Sequence, residues 1–291
     1  MSRLPPAHIE RLRKWRFLDY YLPIYSKIIT AHFPSCYYID MFAGAGHQTI
    51  PGIGTVIGSP LRALQVAYPF SNYVFVEKYP NESKALSEAL ENPRYLALKG
   101  KYLWKVSAPI QKAVKIAQLR GDVNTLLPGI LAPIPREIPI FAFVDPHGIG
   151  DMPWSTAIAP FIGRRSELLI NFSIMGINRN PHNPELLDAL YGDDSWKGCD
   201  SEEDYVELYK IKLKQYWTYV FSTPPFRTET DNVLYCLIFA TKNPTAKRIW
   251  EQDVLHRVQE IWAERDLEAW LGTKKQASLR RFEASKTAKA K

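Results

Sequence analysis

The sequence has no run of about 18 uninterrupted apolar residues, so nothing in it has the length of a membrane-crossing helix. Its first residues, Met1-Ser2-Arg3-Leu4-Pro5-Pro6, lack the apolar core of a secretory signal. Both absences point to a cytoplasmic protein with no membrane partner. Cysteine is scarce. Cys36, Cys199 and Cys236 stand far apart with no CxxC pair, which argues against a disulfide framework or zinc knuckle and for small buried or partly buried side chains. There is no HExxH, no DxD and no spaced histidine pair, so no metal site is expected and a metal-dependent nuclease built on acids is weakly supported. No internal repeat is visible.

What the chain does have is apolar mass. Hydrophobic residues make up 46% of 291, with 8 Trp and 16 Tyr, enough for a substantial core. The formal charge of +7 is unevenly spread. Five Lys and two Arg against one Glu between Thr273 and Lys291 supply +6 of it, leaving the body nearly neutral. That Lys/Ala/Ser-rich tail has the composition of a solvated, disordered extension. It serves either as a solubilising tail or as an arm for an anionic partner such as nucleic acid.

From Ala7 to His32 apolar residues recur at helical spacing through Leu12, Trp15, Leu18, Tyr21 and Tyr25, with Pro23 expected to break the helix. Strands and helices then alternate. Tyr37 to Asp40 is a buried strand, His47 to Gly58 a Gly/Pro-rich loop, and Ser59-Pro60 a helix start with Ser59 as N-cap. Asn72 to Glu77 is the next strand, followed by a helix through Ser83 to Leu90. Tyr95 to Leu98 is a candidate short strand, and Ile110 to Leu119 continues the alternation. Pro139 to Val144 and Glu167 to Phe172 are apolar enough to be buried on both faces, with a helix from Trp154 to Ile162 between them. Trp217 to Phe221 and Val233 to Ala240 read as an antiparallel pair at a sheet edge. This order implies an α/β fold with a doubly wound, mostly parallel sheet, an antiparallel edge hairpin and an N-terminal helical lead-in. We divide it into a lead-in (1–35), the α/β domain (36–272) and the basic tail (273–291).

Ligands in such a sheet bind outside the carboxyl ends of the strands, which here end on Asp40, Glu77, Asp145 and Asn171. Asp40-Met41-Phe42-Ala43-Gly44-Ala45-Gly46 has the form D-x-F-x-G-x-G, in which Gly44 and Gly46 let the main chain approach a ligand. A pyrophosphate binder would open such a turn directly into a helix, whereas here the helix waits until Ser59. Strand, acid, Phe42, Ala43 and the glycines together favour S-adenosylmethionine over a dinucleotide. Glu77 is placed to accept from ribose hydroxyls; its alternative is a surface pair with Lys78. Asp122, in a Gly-Asp turn, is a partner for the adenine amine or simply turn chemistry. Asp145-Pro146-His147-Gly148 resembles the Asp-Pro-Pro-aromatic tetrapeptide of amino-group methyltransferases. There the carboxylate and a main-chain carbonyl accept the amine's hydrogens and the aromatic stacks on a flipped base. His147 replaces the second proline, as a base or a turn cap, and Gly148 replaces the ring, leaving Trp154 or Phe172 as substitutes or as core.

These segments, with Gly58-Ser59-Pro60, Tyr191-Gly192, Trp196 and Phe239-Ala240-Thr241-Lys242, occur in an order that resembles the three-Cys-motif partner protein (TcmP) family from about Trp15 to Val254. The resemblance implies a Rossmann-like methyltransferase fold and association with a radical-SAM-like protein that itself carries the three cysteines. The expectation is therefore an S-adenosylmethionine-dependent methyltransferase-like protein acting on nucleic acid with that partner. The rival is a non-catalytic partner or scaffold that keeps the fold.

Overall fold

The computed structural model describes residues 6–50, 54–92, 114–228 and 230–254, with side chains from Leu12 onward. The tail from Thr273 and the candidate strand at Tyr95–Leu98 lie outside these residues, as does the start of the segment from Ile110.

An eight-stranded sheet carries the fold. Its strands are β1 (Tyr37–Asp40), β4 (Asn72–Glu77), β5 (Lys115–Arg120), β6 (Ile140–Val144), β7 (Ser166–Phe172), β8 (Tyr219–Ser222), β9 (Phe226–Arg227) and β10 (Val233–Thr241). The order is β5-β4-β1-β6-β7-β10-β8, with β9 beside β10. The first five positions are parallel, and β10 runs antiparallel to β7, β8 and β9. The chain winds outward from β1 through β4 to β5, then returns to the other side of β1 as β6. The strand order therefore reverses between β1 and β6, which is where a doubly wound sheet opens a crevice.

Side-chain alternation sorts the sheet into two faces. Tyr38, Phe75, Phe141, Leu169 and Phe239 face one cluster, and Ile39, Val74, Ala142, Ile170 and Ile238 the other. Helix α1 (Pro6–His32) lays Leu18, Tyr21, Leu22 and Tyr25 on the aromatic face. There Phe239 stacks on Trp250 with centroids 4.7 Å apart. The opposite face is covered by α4 (Val123–Leu131), α6 (Pro184–Tyr191) and α7 (Glu202–Lys214). Short α2 (Ser59–Ala63), α3 (Pro80–Leu90), α5 (Ile174–Asn178) and α8 (Pro244–Ile249) complete the layers.

Three expectations change. Pro23 does not break α1, which runs through it; burial of Leu22, Tyr25 and Ile29 outweighs the one helical hydrogen bond that proline cannot donate. The expected loop from His47 to Gly58 contains a small antiparallel pair, β2 (His47–Ile50) and β3 (Gly54–Ile57), joined across residues 51–53. The N-cap of α2 is Gly58 rather than Ser59, whose hydroxyl turns instead to Asp40. The segment Trp154–Phe161 is helical as expected, a wide turn followed by a tight one. The three cysteines are free, Cys36 and Cys236 buried and Cys199 partly so. Among the described residues no helix is long and apolar enough to cross a membrane.

Candidate active site

The carboxyl ends of β1, β6 and β7 open onto one cleft of about 670 Å³. The glycine turn forms one wall, Asp145, Pro146 and His147 another, and Lys14, Trp15 and Tyr235 close it from the sides.

The turn is fixed by main-chain bonds. Met41 donates to Phe143 and Ala43 to Val76, so the chain leaving β1 stays pinned between its two neighbouring strands. Gly44 and Gly46 have φ of +63° and +75°, the left-handed region that side chains enter at a cost. At Gly46 a Cβ would also lie 2.9 Å from Leu86 Cδ1, so α3 packs where a side chain would stand. Gly58 N donates to Gly46 O at 2.7 Å, which closes the β2–β3 pair back onto the turn.

Asp40 has no exposed surface. Its carboxylate accepts from the Tyr38 hydroxyl (3.3 Å), the Phe42 amide (3.4 Å) and the Ser59 hydroxyl. Burial pushes its pKa to about 7, reinforced by the nearby Asp145 charge and opposed by the Ser59 and Phe42 bonds. Asp40 thus positions the turn and presents no free face to the cleft. Glu77 is buried too and does not pair with Lys78. Its Oε2 accepts from Gly44 N and its Oε1 from Tyr79 N, both at 2.7 Å, and a carboxylate so held keeps two further lone-pair sites. Lys78 instead reaches Asp122 at 3.1 Å and Asp151 at 3.7 Å.

Asp122 is the N-cap of α4, accepting from Asn124 N at 2.9 Å. It shares with Phe42, Glu77 and His147 a hollow of about 10 Å³, room for about one water. The His147 ring is exposed at the rim, edge-on to Tyr79 with centroids 5.2 Å apart. Glu77, Glu82 and His147 bring ligand atoms within 4.8 Å of one another. Both oxygens of Glu77 also accept from main-chain amides, which ties that acid to the turn.

Asp145 is the best-dressed side chain in the cleft. Lys14 Nζ lies 2.6 Å from both carboxylate oxygens, and Asn171 Nδ2 donates to Oδ1 at 2.7 Å. Asn171 Oδ1 is buried without a partner. Lys14 is not among the residues that the strand ends or the glycine turn point to. It comes from α1, in register with Leu18, Tyr21 and Tyr25, and a lysine on the buried stripe of an amphipathic helix is the signal that could have found it. Trp154 and Phe172 do not supply a stacking ring. Trp154 packs against Tyr209 and Gly192, and Phe172 is wholly buried. The aromatic walls of the cleft are Trp15, Phe42 and Tyr235.

Such a cleft offers an open glycine turn for a small polar ligand, a buried acid beside it, and a charge-balanced carboxylate across from both. The fold and site together define a Rossmann-type protein whose crevice lies at the strand-order reversal, where doubly wound sheets take their ligands. No protein-family model matches the chain, and no curated protein is similar to it. Solved structures of similar fold include protein LPL1258 of Legionella pneumophila, described as a DUF519 protein (10% identity, 80% of this chain and 89% of that one, TM-score 0.48). Others are the O-methyltransferase TomG of Streptomyces achromogenes in complex with SAM (13%, 76% and 78%, TM-score 0.37) and SAM-bound fibrillarin of Aeropyrum pernix (10%, 74% and 74%, TM-score 0.37).

Proposed function

We propose that the chain is an S-adenosylmethionine-dependent methyltransferase of the TcmP type, acting on an amino group of a nucleic acid in concert with a radical-SAM-like three-Cys-motif protein. The observation that carries this reading is that Asp145 and the Gly44–Gly46 turn face one cleft at the strand-order reversal between β1 and β6. S-adenosylmethionine supplies an electrophilic methyl group when bound. Gly44 and Gly46, with Phe42 and Ala43, would hold the cofactor along the open main chain of the turn. Glu77 accepts from the ribose hydroxyls with the lone pairs that Gly44 N and Tyr79 N leave free. Asp122, engaged by Asn124 and Lys78 outside the main cleft, serves as turn chemistry in this reading.

Across the cleft, Asp145 and the Pro146 carbonyl accept the hydrogens of the target amine. Lys14 holds the donor position on Asp145 until then, so the amine exchanges with an ammonium already there. His147 at the rim takes the proton released on transfer. The basic tail attracts the nucleic acid without reading its sequence.

The same ion pair favours a second reading, a non-catalytic partner whose Asp145 is permanently neutralised by Lys14 and whose Gly148 offers no stacking ring. Methyl-labelled S-adenosylmethionine incubated with RNA, DNA and protein fractions separates the two. The first reading expects label in nucleic acid, reduced about 100-fold or more in Asp145→Asn. Equal background from both proteins in every fraction, with a stable complex between this chain and the three-Cys-motif protein, establishes the second.

A further inference from the structure

A second concavity, of about 600 Å³, lies at the opposite end of the sheet, where β6 and β7 begin and β10 ends. Arg136, Arg164, Arg165 and Lys242 line it. Among the described residues none of the four forms an ion pair with a carboxylate. Arg164 is accounted for locally, since its guanidinium donates to the Ile134 and Leu131 carbonyls (2.7 and 3.0 Å) at the carboxyl end of α4. Arg136 is brought beside it by Gly163, at φ +75°, where a Cβ would stand 2.8 Å from Arg136 Nη1. Burial lowers the pKa of Arg164, and the nearby Arg136 charge lowers it further. Arg165 lies over the Phe33 ring at 4.9 Å, leaving the edge of its guanidinium free to donate.

Two acids share this hollow with the four cations. Glu137 is exposed at its edge. Glu167, on its floor, is buried, accepts from Tyr21 (2.7 Å) and Thr241 (3.0 Å), and is held at a pKa of about 7 by burial. Guanidinium groups that share one hollow and pair with no carboxylate there suit the paired oxygens of a phosphate. The space is that of a nucleotide-sized ligand.

We propose that this hollow binds phosphate, carried either by a nucleotide or by a nucleic-acid strand, through Arg136, Arg165 and Lys242, with Gly163 leaving room for Arg136. The site stands apart from the methyl-transfer cleft and does not depend on it.

The test compares the full chain with the Arg136→Gln/Arg165→Gln double variant, which leaves the Arg164 carbonyl bonds intact. Two probes are titrated at low salt: inorganic pyrophosphate, and a short fluorescein-labelled oligothymidylate followed by anisotropy. Adenosylhomocysteine binding and the thermal midpoint, read on both proteins, report the front cleft and folding separately. The proposal expects at least about a tenfold loss of affinity in the double variant for one or both probes, and an oligothymidylate salt dependence shallower by about 1.4 in log–log slope. Loss for both probes identifies a nucleotide-type phosphate site, and loss for the oligothymidylate alone a strand site. Equal binding by the two proteins, or no binding of either probe by the wild type, overturns it.

Discussion

Asp40 and Glu167 are carboxyl groups with no or almost no exposure, each held by burial at a pKa of about 7. Unfolded, they titrate near 4. The folded state therefore binds more protons than the unfolded one between about pH 4 and 7, and stability falls across that window as pH rises. Replacing Glu167 by Gln removes one such group while keeping the Tyr21 acceptor. The gap between Glu167→Gln and wild type in urea-unfolding free energy should move in the variant's favour by up to about 1.4 kcal/mol per pH unit from pH 5 to 7. A constant gap contradicts the assignment. Much of the candidate site was legible at this scale, because a doubly wound sheet puts ligands at strand ends and Asp40, Glu77, Asp145 and Asn171 stand there by pattern alone. What each does was not legible. Only the fold shows that Asp40 props the turn and that Glu77 serves Gly44 N, and Lys14 sits more than a hundred residues from the acid it neutralises.

Helix α1 is the element that completes the cleft. Besides Lys14 it presents Asp19 to Arg62 of α2 at 2.5 Å, a guanidinium that also donates to the Ile57 carbonyl at 2.9 Å and stacks on Trp15 at 5.2 Å. Asp19→Asn leaves that buried cation against a neutral amide and should cost about 3 kcal/mol in chemical unfolding; a cost under about 0.5 kcal/mol contradicts the packing described. The turn element has its own test. Gly46→Ala forces a side chain into a left-handed backbone and onto Leu86, so a loss of roughly 1–3 kcal/mol is expected by the same measurement. The helical stripe of α1 was readable from spacing, and its passage through Pro23 was not, since tertiary burial decides it. The β2–β3 pair was hidden because two four-residue strands among glycines offer too little alternation to distinguish from a loop.

Across the whole molecule, the order β5-β4-β1-β6-β7 places two differently built hollows at the two ends of one sheet. The front one joins a glycine turn to a guarded acid, and the rear one gathers four cations around two acids. Alternating strands and helices made the sheet readable in advance, including the antiparallel β8 and β10 at its edge. The rear hollow had no local signature, because Arg136, Arg164–Arg165 and Lys242 converge only through the fold. The central claim concerns the front cleft, and equilibrium binding of adenosylhomocysteine by calorimetry tests it most directly. The account predicts a saturable one-to-one complex with wild type, its loss in Gly44→Val, and its retention in Asp145→Asn. Absence of binding to the wild type, or undiminished binding to Gly44→Val, would contradict it.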